Sequence, residues 1–136
     1  MEKIDKVAFL FLKDGKILST RSRGKDKYYI PGGKREGNET DAETLIREVR
    51  EELSVEIVES SIKFYGIFEA QAHGHAEGVQ VKMTCYMAEF TGDLKADSEI
   101  EEIVWLTCAD RERISPVDKL IFADLQKRGL LKEEAE

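Results

Sequence analysis

Apolar and polar residues alternate in short blocks along this chain, and the period of the pattern sorts the blocks into strands and helices. Val7-Ala8-Phe9-Leu10-Phe11-Leu12 is a continuous apolar run of strand length. Lys13-Asp14-Gly15-Lys16 follows as a hairpin signal, because Asp-Gly readily takes the positive φ of a tight turn. Ile17 to Arg21 is the returning strand, and Arg21 to Lys27 a basic connection. Tyr28-Tyr29-Ile30 reads as a short strand ended by Pro31-Gly32-Gly33. Further strand material lies at Ile57-Val58, Ile62 to Phe68, Val79 to Phe90 and Ile103 to Leu106. Ala70 to Gly78 reads as a loop, and Thr91-Gly92-Asp93 as a turn.

Two segments carry the helical period instead. Ala42, Leu45, Ile46, Val49 and Leu53 recur at three- and four-residue steps, which places one apolar stripe against a core. Thr40 with Glu43 has capping-box spacing: the hydroxyl satisfies a free amide and the glutamate reaches back. The second helix starts at Ser115 with Pro116 in its first turn. It runs through Leu120, Ile121 and Leu125 to a stop at Gly129. Mixed strands with an early and a late helix imply helices packed on a sheet.

At 136 residues and 41% hydrophobic, the chain suits one domain with one core, here taken as residues 1–136. No apolar run approaches the roughly 18 residues of a membrane span, and the N-terminus lacks a signal-peptide layout. The expected location is the cytoplasm. Cys85 and Cys108 stand alone and read as reduced thiols rather than a disulfide framework. A net charge of −7 repels nucleic-acid backbone, so a duplex partner is disfavoured.

Part of that charge is patterned. Glu48, Glu51 and Glu52 share one face of the central helix, offset from its apolar stripe. Three like charges so close cost stability, and a hard cation such as Mg²⁺ or Mn²⁺ among them removes the cost. A solvated acidic face would show the same spacing. What distinguishes the two is the surrounding run Gly33-x5-Glu39-x7-Arg47-Glu48-Val49-x-Glu51-Glu52-x-Ser54-Val55. It resembles the signature of the Nudix hydrolases, G-x5-E-x7-R-E-U-x-E-E-x-G-U with U a bulky aliphatic, at every position but one. Tyr29-Ile30-Pro31-Gly32-Gly33-Lys34 and the later Gly92, Glu99–Glu102 and Trp105-Leu106 extend the resemblance over about residues 5–131.

The resemblance implies an α/β (α+β) Nudix fold: an α/β/α sandwich around a mixed β-sheet. It implies Mg²⁺- or Mn²⁺-dependent hydrolysis of the diphosphate linkage of a small nucleotide substrate. By position, Glu48, Glu51 and Glu52 match the metal-binding carboxylates, and Gly32 the glycine whose carbonyl adds a ligand. Glu39 and Arg47, with Gly33, match the residues that support the site. Glu99 resembles an acid outside the box that binds a further metal or acts as general base. The box's last glycine is Ser54 here, where a left-handed serine would cost on the order of 1 kcal/mol. A homodimer is the family's default, though no residue indicates it.

Weaker signals remain. Arg21 and Arg23 can meet substrate phosphate or merely offset local acidity. His73-Gly74-His75 lacks the partners of a zinc site and suits a substrate loop or a plain exposed one. Phe64, Tyr65, Phe68 and Tyr86 can stack a base, but at strand spacing they fit a core better. Neither Ser115 nor Cys85 has a nucleophile motif around it. The competing reading is a non-catalytic nucleotide-sensing module on the same fold; a surface acidic helix that recruits a basic partner is a third.

Overall fold

The computed structural model describes residues 3–72 and 75–134. His73 and Gly74, and so one of the two histidines, lie outside the described residues. Strand β1 (Lys3–Leu10) leads through β2 (Leu12–Lys13) and a tight turn into β3 (Lys16–Ser22). Asp14 and Gly15 take φ of 55° and 77° there, as a hairpin with Asp-Gly at its tip requires. Then follow β4 (Gly32–Gly33), helix α1 (Asp41–Leu53), β5 (Glu56–Ile57), β6 (Lys63–Gln71), β7 (Gln80–Met87), β8 (Phe90–Thr91), β9 (Ile100–Leu106) and helix α2 (Pro116–Lys127).

One sheet has the order β4-β1-β7-β6, with β1 parallel to β7 and the other pairs antiparallel, so the sheet is mixed. A second has the order β2-β3-β9, and β5 pairs with β8. The alternation of side chains along β1 organises both cores. Val7 and Phe9 pack with Leu45, Val49 and Leu53 of α1. Ala8 and Leu10 pack with Val117, Ile121, Phe122 and Leu125 of α2. The apolar run of β1 therefore has no solvent face, since each side is covered by a helix. This is the predicted sandwich, with α1 on one side of the sheet and α2 on the other.

Local chemistry explains the element ends. Thr40 and Glu43 close the capping box in both directions. Ser115 starts α2 with Pro116 behind it, but its hydroxyl caps nothing. The structure revises several boundaries. The strand foreseen over Val79 to Phe90 is two, β7 and β8, separated by Ala88 and Glu89. Val58 takes part in that break, because its N–H bonds the Glu89 carbonyl. Tyr28-Tyr29-Ile30 makes only isolated bridges to Thr20 and Ile114. Ala70 and Gln71 continue β6 rather than opening a loop, paired with Val81 and Gln80. Cys85 and Cys108 are free and buried. No helix among the described residues is long and apolar enough to cross a membrane.

Helix α1 ends at Ser54, which is left-handed at φ 62° and ψ 26°. A non-glycine residue there bears a steric cost that glycine avoids. Its hydroxyl recovers part of it through an exposed bond to Asp97 Oδ2, 3.3 Å long. Ser54→Gly is expected to raise stability by up to about 1 kcal/mol and to leave dependence on added divalent cation intact. Denaturant melts and turnover with and without chelator check both parts. Lower stability, or loss of cation-dependent turnover, would contradict this account.

Candidate functional site

The site is built where the loop before α1 folds back on the helix. Gly32 sits in β4 beside Ala8, with φ 145°; a Cβ there would lie 2.1 Å from the Val7 carbonyl oxygen. Only glycine allows this approach. Gly33, next along, faces the helix: its Cβ would lie 2.4 Å from the Glu48 carboxyl carbon. The two glycines thus let the backbone pass between β1 and the carboxylates. The Gly32 N–H donates to Glu52 Oε1 at 3.3 Å.

Arg47 fastens the loop. Its Nε and Nη2 donate to the two oxygens of Glu39 at 2.7 and 2.9 Å, and Nη2 also reaches the Lys34 carbonyl at 3.0 Å. Nη1 donates to Glu48 at 2.9 Å and to Glu51 at 3.4 Å. Glu39 further accepts from the Glu36 N–H and the Thr44 hydroxyl, each at 2.9 Å. Arg47 and these donors hold the Glu39 carboxyl down to about 2. A planar guanidinium suits this work because it forks onto a carboxylate and still has donors left.

The acids of the helix do not share one environment. Glu52 is buried, Glu48 is half-buried, and Glu51 is 52% exposed at its side chain. Glu48 and Glu52 lie within hydrogen-bonding reach of each other. Burial first, then the Glu48 charge, pushes the Glu52 carboxyl up to about 9. Burial also raises Glu48, although Arg47 opposes the rise. Two carboxyls in contact at this depth need a proton or a cation between them. This donor set therefore fits a hard divalent ion. Among the described residues no three acid, histidine or cysteine side chains already form a cation cage. Glu51, drawn toward Arg47, is the member that stands apart.

Glu99 comes from the other side. It lines the same cavity as Glu52, and its charge adds to the rise of the Glu52 carboxyl. The segment that carries it is stitched to the end of α1: the Lys95 and Asp97 amides donate to the Leu53 and Glu52 carbonyls. Arg23 completes the attachment through its own N–H to the Glu99 carbonyl, 2.9 Å, and its guanidinium to the Ser98 carbonyl, 2.6 Å. Arg21 is held by Glu101 and Glu102 at 2.9 and 2.8 Å. Arg21 also donates to the Lys25 carbonyl at 3.3 Å, and Arg23 is exposed beyond its contact with this segment.

The cavity has a volume of about 280 Å³. Gly32, Gly33, Glu52 and Glu99 form one part of its wall. Ile4, Val81, Met83, Ile100 and Val117 supply apolar lining, and Tyr29, Lys6, Ser115 and Asp118 polar groups. Asp118 is 1% exposed. Its Oδ2 accepts the Ile30 N–H at 3.0 Å, while among the described residues neither Oδ1 nor the Ser115 hydroxyl oxygen makes a hydrogen bond of normal geometry. Burial raises the Asp118 carboxyl to about 7, against the Ile30 amide, nearby Lys6 and the adjacent Ser115 side chain. None of the four aromatics considered from sequence lines this cavity. Tyr65 and Phe68 pack toward α2, Phe64 is 60% exposed, and Tyr86 hydrogen-bonds Asp41. His75 does line it. Burial drives the Cys85 thiol up to about 12, which makes it a poor nucleophile.

A model of the NUDIX domain matches residues 3–125. The chain belongs to the Nudix family. A Nudix hydrolase of Bacillus subtilis, YvcI, is 27% identical over 121 residues, 87% of this chain and 77% of that one. The solution structure of the E. coli ORF135 protein is similar with TM-score 0.70 and 26% identity, covering 94% of each chain. A MutT protein from Methanosarcina mazei superposes with TM-score 0.75 at 20% identity, covering 94% of this chain and 96% of its own. That likeness establishes the fold. The Nudix box is the loop and helix described above, and its departure, Ser54, falls at the helix exit, clear of the carboxylates.

Asp118 and Lys6 are the site residues that the sequence patterns did not single out. Asp118 stands in the first turn of α2, where an acid is an ordinary partner of the helix dipole. Lys6 left a fainter sign: a charge at an even position of β1, between Ile4 and Ala8, on the side that faces α2.

Proposed function

We propose that this Nudix hydrolase cleaves the diphosphate linkage of a nucleoside diphosphate derivative and releases a nucleoside monophosphate, with Mg²⁺ or Mn²⁺ as cofactor. The observation that carries the reading is a single cavity with Glu52, Glu99 and Gly32 in its wall and an apolar chamber beside them that holds an unpaired carboxylate oxygen. That layout suits an elongated ligand with an anionic diphosphate and a flat heterocyclic base. A (d)NTP or an oxidised (d)NTP suits a cavity of about 280 Å³ better than a nucleotide sugar with a second bulky group.

In this mechanism Glu48, Glu51 and Glu52, with the Gly32 carbonyl, would hold the cation. When bound, the cation neutralises the diphosphate and activates water. The rest falls to the chain itself. Arg47 keeps Glu48 and Glu51 oriented and holds Glu39 across the loop. Glu99, beside Glu52 and outside the helix, can accept a proton from the attacking water. The cavity wall holds the base and so fixes the phosphorus relative to these acids, which is the positioning that in-line substitution demands.

The test is a panel of nucleoside triphosphates, nucleotide sugars and dinucleoside polyphosphates, with Mg²⁺ and with chelator. Products would be identified in isotopically labelled water. Monophosphate release that requires the cation is the expected result. Tight binding across the panel without any product would reject hydrolysis in favour of sensing.

A further inference from the structure

Of the basic connection after β3, Ser22 and Lys25 line the cavity, whereas Arg23 does not. Arg23 stands in a turn that the Lys25 N–H closes onto the Ser22 carbonyl at 3.1 Å, with Gly24 at φ 78°. The pairing of β3 with β9 ends at Ser22 opposite Ile100, but the Arg23 N–H carries it one step further, onto the Glu99 carbonyl at 2.9 Å. From that anchored backbone the guanidinium Nη1 donates to the Ser98 carbonyl at 2.6 Å. One residue thus holds the peptide groups on both sides of the Glu99 Cα. Ser98 is left-handed, at φ 56°, which is costly for a residue with a Cβ. Its return to the right-handed region would swing the Ser98–Glu99 peptide and redirect the Glu99 side chain. The guanidinium bond holds that carbonyl against this relaxation. On the side of α1, the Lys95 and Asp97 amides tie the segment to the Leu53 and Glu52 carbonyls, but these bonds stop short of Ser98.

We propose that Arg23 is a positioning residue: by clamping the two peptides around Glu99 it keeps that carboxylate aimed into the cavity, and it does not itself touch substrate. This rests on the nucleotide-hydrolase reading above, in which Glu99 takes a proton from the attacking water. The charge of Arg23 suggests a phosphate contact instead, yet the side chain that its segment places in the cavity wall is Lys25, while Arg23 holds the backbone of an acid that lies there. Small errors in the placement of such a group are expensive, because in-line substitution depends on alignment.

The test is a double-mutant cycle between Arg23 and Glu99, run with whichever of ATP, GTP, CTP and UTP the wild-type protein turns over best in Mg²⁺. Arg23→Ala is expected to lower kcat about tenfold, with KM changed by less than about twofold. Arg23→Lys, which keeps a cationic donor on a long stem, is expected to recover part of the loss. In the Glu99→Gln background Arg23→Ala is expected to cost less than about twofold more, since the group it positions no longer acts. A second readout needs neither metal nor turnover. Hydrogen exchange of the amides of residues 95–100 in the metal-free protein is expected to quicken in Arg23→Ala but not in Glu99→Gln, with the global melt unchanged. Should Arg23→Ala fail to give a cooperative melt, Arg23→Gln replaces it. A raised KM with kcat kept, or full additivity with Glu99→Gln, would make Arg23 a substrate contact and overturn the assignment, as would unchanged exchange. If Glu99→Gln keeps full kcat, the proposal falls while the hydrolase reading stands. If wild-type protein turns over none of the four, the hydrolase reading itself fails, and exchange alone then decides whether Arg23 anchors the segment.

Discussion

Glu52→Gln is expected to lower kcat by two or more orders of magnitude and to make the metal-free protein more stable at neutral and alkaline pH. The two effects share one cause. Glu52 is buried against Glu48, and its carboxyl is raised to about 9. A group raised on folding stabilises the native state in full below its unfolded value of about 4.3. That contribution is lost as pH rises toward the folded value. Glutamine copies the neutral carboxyl and removes the loss, a gain on the order of a few kcal/mol near pH 9. With Mg²⁺ the order reverses, because the cation rewards the ionised glutamate and finds a weaker ligand in the amide. Paired melts with and without Mg²⁺, set beside kcat, read both effects. Near-normal turnover would reject the assignment of Glu52 as a ligand. A metal-free melt that does not rise would reject its protonated state. Glu51→Gln is expected to slow turnover too, with little change in the metal-free melt, because Glu51 is 52% exposed at its side chain.

Asp118→Asn is expected to abolish a decline in stability between pH 4 and 8. Burial raises the Asp118 carboxyl to about 7, while an unfolded aspartate titrates near 3.9. Its protonated form therefore supports the fold fully below about pH 4, and the support fades as pH climbs to 7. Asparagine has nothing to ionise and still offers an oxygen to the Ile30 amide. Parent and variant should melt alike at pH 4 and diverge steadily above it, the variant being favoured by a few kcal/mol at pH 8. Guanidinium melts at four or five pH values give the difference directly, since every other titrating group cancels between the two proteins. Curves that stay parallel across the range would show that Asp118 is not the buried acid described here.

The sandwich and the loop–helix unit were legible because each rests on chemistry local in sequence. The capping box needs only Thr40 and Glu43, and the apolar stripe only Leu45, Val49 and Leu53. The pattern from Gly33 to Val55 sits on contiguous residues. Boundaries were harder where a distant partner decides them. Tyr29 looks like strand, but it finds only Thr20 to bridge. Val79 to Phe90 looks unbroken until the Glu89 carbonyl is claimed by Val58. The cavity was least legible. Its wall joins β1, β7 and α2, so Lys6 and Asp118 line one cavity from more than a hundred residues apart in the chain, and neither stands in a motif. Arg21 and Arg23 show the same limit: their charge was evident, but their partners on the 98–102 segment were not.

The odd and even positions of β1 answer to different masters. Val7 and Phe9 support the helix that bears the acids, whereas Ala8 packs toward α2 and Ile4 and Lys6 line the chamber. A change at an even position can therefore retune what the protein admits while the catalytic helix keeps its footing. A single-residue insertion would exchange the two sets at once and ruin both. Drift in ligand preference should thus proceed by substitution within this strand, with its length held fixed.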